Sequence, residues 1–176
     1  ETREIFQVNT FAPVELTTAF LPSMRARGSG LIVYVTSLGG RLVFPFFTTY
    51  NATKHALEAY AEGQWHELRQ FGIRVKAIEP GYVATPIYKA MDGRAEPTGP
   101  YASGLRAMNA FSAGVTNRTS PEDAAAEAWV AITDSSDRLR YPVAAYARPL
   151  LAARRLFGDG AVMRFMHSRW LGKGTS

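Results

Sequence analysis

An α/β fold, with a parallel sheet covered by helices on both faces, is the class this sequence predicts, and three observations carry it. The runs Leu31–Thr36 and Ile73–Glu79 are short, continuous and apolar, as strands buried on both faces are. A helix-length segment separates them, from Thr48 or Thr49 to about Phe71. The alternation then continues through a second helix and a short strand, Arg138–Val143, the order that builds parallel sheets.

Taken in chain order, residues from about Arg3 to Arg27 read as a helix with a broad apolar face: Ile5, Phe6, Val8, Phe11, Val14, Leu16 and Phe20. Pro13 removes a backbone donor inside it and predicts a local irregularity. Arg27-Gly28-Ser29-Gly30 ends the helix ahead of the first strand, and Leu38–Phe47 is a Gly- and Phe-rich loop. Thr48 or Thr49 is placed to cap the long helix that follows, and Gly72 to end it. Pro80-Gly81 breaks the second strand. Thr85–Asn117 has weak periodicity and many prolines and glycines, and reads as an excursion with short helical pieces. Ser120-Pro121-Glu122-Asp123 is a helix start, with a capping serine, a first-turn proline and acids at the positive end; that helix runs to about Thr133. Arg148–Trp170 reads as an interrupted, basic and apolar helical tail.

The 176 residues fit one domain and, at 47% hydrophobic, can bury a core. The chain has no cysteine, which removes disulfide and thiolate–metal chemistry and fits a reducing cytoplasm. His55, His66 and His167 are scattered, and no metal site is expected. No apolar run reaches the ~20 residues that span a bilayer, and no signal-peptide pattern is visible. Charge is uneven. From Arg138 onward eight bases face one acid, Asp159, for a net +7, whereas the other 12 bases and 14 acids give −2. The tail therefore suits either a membrane or nucleic-acid surface or a solvated helix face with long arginines, and the second reading is adopted, with no nucleic-acid partner.

Tyr50 and Lys54 stand four residues apart in T-T-Y-N-A-T-K-H-A-L, which puts them on one helix face. A neighbouring ammonium favours phenolate, so Lys54 is expected to draw Tyr50 down from roughly 10 towards neutrality and make it a general acid or base. Ser37 closes L-I-V-Y-V-T-S, so its hydroxyl falls at a strand's C-terminal end, where open α/β sheets bind ligands.

These residues, with V-N-T around Asn9, L-P-S-M, E-L-R-Q-F-G-I-R-V and P-G-Y-V-A-T from Pro80 to Thr85, resemble the second half of a short-chain dehydrogenase/reductase. The resemblance is carried by Phe6–Thr85. It implies a Rossmann-type doubly wound sheet, hydride transfer between NAD or NADP and an alcohol or ketone, and a catalytic tetrad of Asn9, Ser37, Tyr50 and Lys54. Lys54 would also bond the nicotinamide ribose, and Ser37 would hold the substrate oxygen. Asn9 would bend its helix and hold a water through its carbonyl. Pro80, Gly81, Val83 and Thr85 would meet the nicotinamide end, with backbone groups around Tyr82 and Val83 freed by the turn. Residues 86–117 would form the substrate loop, and 148–176 the basic tail. Phe44, Phe46, Phe47, Ile87, Tyr88, Met91, Leu105, Met108 and Phe111 lie in the loops that would roof the site; they build either an apolar pocket, with Phe44, Tyr88 and Met91 on the substrate, or core and oligomer contacts.

No glycine-rich dinucleotide turn occurs between a strand and a helix in these residues. A nucleotide-binding half needs on the order of 90 residues, so the expectation is a single-domain fragment, the C-terminal two-thirds of such an enzyme, inactive in isolation. The edge of the first strand would then lie open, exposing an apolar row. A homodimer or homotetramer is expected through the first two helices, where Phe6, Phe11, Phe20, Tyr60, Trp65 and Leu68 exceed one apolar stripe. The tail points softly to the 17β-hydroxysteroid and retinol dehydrogenase branch. The rival reading is a truncated, non-catalytic structural or interaction subunit.

Overall fold

The computed structural model describes residues 1–86 and 98–170. The chain starts in α1 (Thr2–Phe6), widens into a π-helical turn at Gln7–Phe11, and continues as α2 (Ala12–Ala26). The widening falls just before Pro13, which has no N–H to give the Asn9 carbonyl four residues earlier. The expected irregularity is therefore a π-turn. Strand β1 (Gly30–Val35) leads to a short 3₁₀ turn at Leu38–Gly40, and α3 (Thr48–Leu68) returns the chain to β2 (Ile73–Pro80). Gly72, with φ 67°, makes the left-handed turn between them. Helices α4 (Ala102–Ala113) and α5 (Pro121–Thr133), strand β3 (Arg140–Val143) and helix α6 (Ala147–Trp170) complete the order.

The three strands are parallel in the order β1-β2-β3, with Gly30 opposite Ile73 and Ala77 opposite Arg140. Strand alternation separates two cores. Tyr34, Ile73, Val75 and Ala77 point to the side of α3, where Leu57, Ala61 and Leu68 meet them. Ile78, Tyr141 and Val143 point to the other side and pack on Ala131 of α5. Helices on both faces of a parallel sheet make a doubly wound α/β architecture.

Several boundaries depart from the sequence reading for physical reasons. Neither Thr48 nor Thr49 caps α3; the N-cap is Phe47, with no side-chain bond. Its first turn is instead tied by Asn51, whose amide reaches back to the Phe44 carbonyl at 3.0 Å. Ser120 does cap α5, accepting from the Asp123 N–H at 3.0 Å. The excursion holds a three-turn helix, α4, because Met108 buries against Phe44, Phe46 and Phe47, a tertiary contact periodicity does not reveal. The tail breaks at Gly158, with φ 73° and ψ 167°. The large residues on α3 are not surplus: Leu68 is core, and Tyr60 and Trp65 pack against it. Only the first helix carries the exposed set Val8, Phe11, Leu16 and Phe20.

Among the described residues β1 pairs only with β2, and an open groove of about 410 Å³ runs along its free side between Phe20, Met24 and Val35. No helix among the described residues is long and apolar enough to cross a membrane.

Candidate functional site

Ser37 stands two residues beyond β1, extended, and caps the 3₁₀ turn by accepting from the Gly39 N–H at 2.9 Å. Its neighbours are defined by what Gly39 leaves room for. A Cβ built on Gly39 would lie 2.8 Å from Asn51 Oδ1, 3.0 Å from Tyr50 Cε1 and 3.4 Å from Ser37 Oγ. The serine hydroxyl, the tyrosine ring and the Asn51 amide thus close on one glycine, and any larger residue there would push them apart.

Lys54 follows Tyr50 by one turn of α3, and its Nζ donates to the Val35 carbonyl at 3.2 Å, the end of β1. Asn9 joins from the π-turn. Its Nδ2 donates to Thr53 Oγ1 at 3.1 Å, and Thr53 Oγ1 donates to the Tyr50 carbonyl at 2.7 Å. Thr10 adds a bond to the Thr53 carbonyl at 3.1 Å. All four residues of the expected tetrad therefore lie around the first two turns of α3.

The electrostatics differ from the sequence expectation. Burial pushes the Tyr50 phenol up, and the Ser37 side chain, its hydrogen-bonding neighbour, pulls it back. Lys54 does not offset that burial: its ammonium is turned to the Val35 carbonyl, and burial lowers its own proton affinity. The lysine-driven lowering of Tyr50 is corrected accordingly, because desolvation dominates both groups.

Pro80, Gly81, Val83 and Thr85 sit at the C-terminal end of β2, beside the end of β1 that carries Ser37. The expectation of freed backbone at Tyr82 is corrected. Its N–H donates to the Ala145 carbonyl at 3.0 Å and its carbonyl accepts from Thr119 at 3.0 Å. Val83 bridges Thr119, and its carbonyl accepts from Thr85 at 2.9 Å. Gly81 is required by packing: a Cβ there would lie 2.1 Å from the Ala145 carbonyl oxygen.

Phe44 and Phe111 line an apolar cavity of about 380 Å³ between α4 and α6, with Val115, Leu150, Phe165 and Met166. Phe46, Phe47 and Met108 belong to the small core beneath it. Ile87, Tyr88 and Met91 lie outside the described residues. Sequence reasoning missed Asn51 and Thr53, which are 1% and 0% exposed; their place inside the Y-x-x-x-K interval was the one signal the sequence offered. Phe46, expected in the roof, holds a left-handed φ of 65° in the turn that Asn51 anchors, which the sequence does not reveal.

A dinucleotide's nicotinamide end fits this donor set, since a phenol, an ammonium and a hydroxyl meet at the C-terminal ends of two parallel strands. The phosphates would need a glycine-rich turn that these residues do not contain. No group of three or more metal-binding side chains occurs among the described residues.

Comparison with known proteins gives the same class. The short chain dehydrogenase family model matches residues 1–95. An uncharacterised oxidoreductase of Schizosaccharomyces pombe is 31% identical over 160 residues, 90% of this chain and 67% of that protein. The crystal structure of a short-chain dehydrogenase from Streptomyces avermitilis aligns with a TM-score of 0.73 at 31% identity, covering 100% of this chain and 63% of that one. A short chain dehydrogenase from Burkholderia cenocepacia J2315, solved in complex with NADP, shares the fold at 20% identity and a TM-score of 0.69, covering 97% of this chain and 59% of that one. The chain belongs to the short-chain dehydrogenase family. It spans about two thirds of the length of these relatives.

Proposed function

We propose that this chain supplies the proton-transfer and substrate side of an NAD(P)-dependent oxidoreductase that interconverts an apolar alcohol and its ketone. The observation that carries the reading is the closure of Tyr50, Ser37 and Asn51 on Gly39, with Lys54 one turn away at the strand end.

Bound NAD or NADP supplies the acceptor or donor of a hydride. The residues of this chain handle the proton and the geometry. Burial keeps the Tyr50 proton in place, so the phenol is suited to give it to a carbonyl oxygen during reduction, and to take it back from an alcohol in reverse. Ser37 holds the substrate oxygen against the phenol, an orienting role. Lys54 has three donors; one is on Val35, and the others are available to ribose hydroxyls. Asn9 fixes the first turns of α3 through Thr53 and holds a water through its carbonyl, which Pro13 cannot bond. Pro80, Gly81, Val83 and Thr85 border the carboxamide. The apolar cavity beside Phe44 supports a bulky, water-poor substrate, with Tyr88 and Met91 as further contacts.

The experiment is calorimetric titration of NAD(H) and NADP(H) into the protein carrying this chain, followed by turnover of a panel of apolar secondary alcohols and ketones. Micromolar binding with turnover supports the reading. Binding of neither dinucleotide sinks it and favours a non-catalytic subunit.

A further inference from the structure

Among the described residues two buried carboxylates, Glu58 and Glu79, gather at one place, and the reaction proposed above does not use them. Glu58, one turn beyond Lys54 on α3, is 4% exposed, and Glu79, near the end of β2, is 1% exposed. Arg140 of β3 lies between them, with Nε 2.9 Å from Glu58 Oε2 and 3.5 Å from Glu79 Oε1. Its Nη2 takes Glu62 at 2.6 Å. Arg41 completes the chain of charges, with Nη1 2.9 Å from Glu79 Oε1.

Such a cluster is expensive. Each buried ion loses its hydration, and two carboxylate oxygens, Glu58 Oε1 and Glu79 Oε2, have no hydrogen-bond partner. Leaving a buried acceptor unpaired costs about 1–3 kcal/mol. Burial and the Glu58 charge push the Glu79 carboxyl up, while Arg41 and Arg140 pull it back. Apolar side chains would fill the space at lower cost; what they lack is direction.

The direction leads to Ser37. Arg41 is the far end of the turn that Ser37 opens: Gly40 N–H donates to the Ser37 carbonyl at 2.9 Å, and Arg41 N–H to Leu38 at 3.0 Å. The same turn is pressed against α3. A Cβ on Gly40 would lie 2.9 Å from the Lys54 carbonyl oxygen and 3.0 Å from Glu58 Cγ. One end of the turn is thus held by charge and its middle by close packing, and the hydroxyl at its other end faces Tyr50.

We propose that Arg41 and Glu79 are positioning residues: through the charge chain Arg41–Glu79–Arg140–Glu58, whose two carboxylates are buried, they fix the Ser37 turn on α3 and so set the Ser37 hydroxyl against the Tyr50 phenol. This rests on the reading of Ser37 and Tyr50 given above. The test is the ¹³Cζ chemical shift of Tyr50 at neutral pH in tyrosine-labelled protein, assigned through Tyr50→Phe, since that carbon reports hydrogen bonding of its hydroxyl. Ser37→Ala sets the shift for a lost serine partner. Arg41→Met and Glu79→Gln are expected to move Tyr50 in the same direction, and Arg41→Lys to restore part of the displacement. Arg69→Met, which breaks an exposed pair with Asp137, is expected to leave Tyr50 in place. Should Arg41→Met not fold, Glu79→Gln decides, because it keeps the volume and removes only the charge. Variants that lower the melting temperature while Tyr50 stays at its wild-type position overturn the inference and leave the cluster purely structural. A Tyr50 signal unmoved by Ser37→Ala overturns the underlying pairing as well.

Discussion

The segment from Ser37 to Lys54 and the segment from Ala102 to Trp170 are packed to different standards. In the first, glycines are placed where even one methyl group would strike a neighbour at 3 Å or less, as at Gly39 and Gly40, and polar groups are tied across more than 40 residues, as Asn9 and Thr10 are to Thr53. In the second, α4 and α6 flank an apolar cavity of about 380 Å³, and Leu156, Phe157 and Met163 stand in solvent. The family model stops at residue 95, between the two. Proton transfer tolerates little displacement of its groups, whereas an apolar pocket can be re-shaped by repacking at modest cost. On the reading proposed above, the first region suits fixed chemistry and the second a pocket that repacking can reshape.

The sharpest challenge to that contrast is a substitution at a tight glycine. Gly40→Ala is expected to lower stability by about 1–3 kcal/mol, the usual cost of overpacking, because its Cβ would meet the Lys54 carbonyl oxygen at 2.9 Å. Urea unfolding measures it, and an unchanged midpoint would show that the tight region can relax. The smallest effect is expected on the other side. Leu156→Ser, at a residue 77% exposed, should change stability by no more than about 0.5 kcal/mol. A larger loss in the same unfolding experiment would mean that the tail is packed in solution and that the contrast is drawn too strongly.

How much of this was legible in the sequence follows the same division. Local signals read true: Ser120 caps α5, Gly72 turns left-handed into β2, and Tyr50, Lys54 and Ser37 fall where a helical spacing and a strand end place them. Contacts distant in sequence did not. Arg41 meets Glu79 across 38 residues, and neither residue carries a local pattern that announces the other. Asn51 stands between Tyr50 and Lys54 with no local pattern of its own, yet its amide anchors the Phe44 turn. The Tyr50 environment was misjudged because helical spacing gives proximity to Lys54 but says nothing of burial, and burial is the larger force on the phenol. Short helical pieces in 85–117 were legible but the extent of α4 was not, because its order comes from Met108 against three phenylalanines far upstream.

The central claim is that Tyr50 carries the proton, and comparing kcat of Tyr50→Phe with wild type in the protein carrying this chain tests it most directly. Phenylalanine keeps the ring that packs beside Gly39 and removes only the hydroxyl, so folding and dinucleotide affinity should hold. The account expects kcat to fall by about 10²–10⁴-fold, the worth of general acid–base catalysis. A variant that keeps more than about half of the wild-type kcat would contradict it, since a proton carrier of that worth would then have to lie elsewhere.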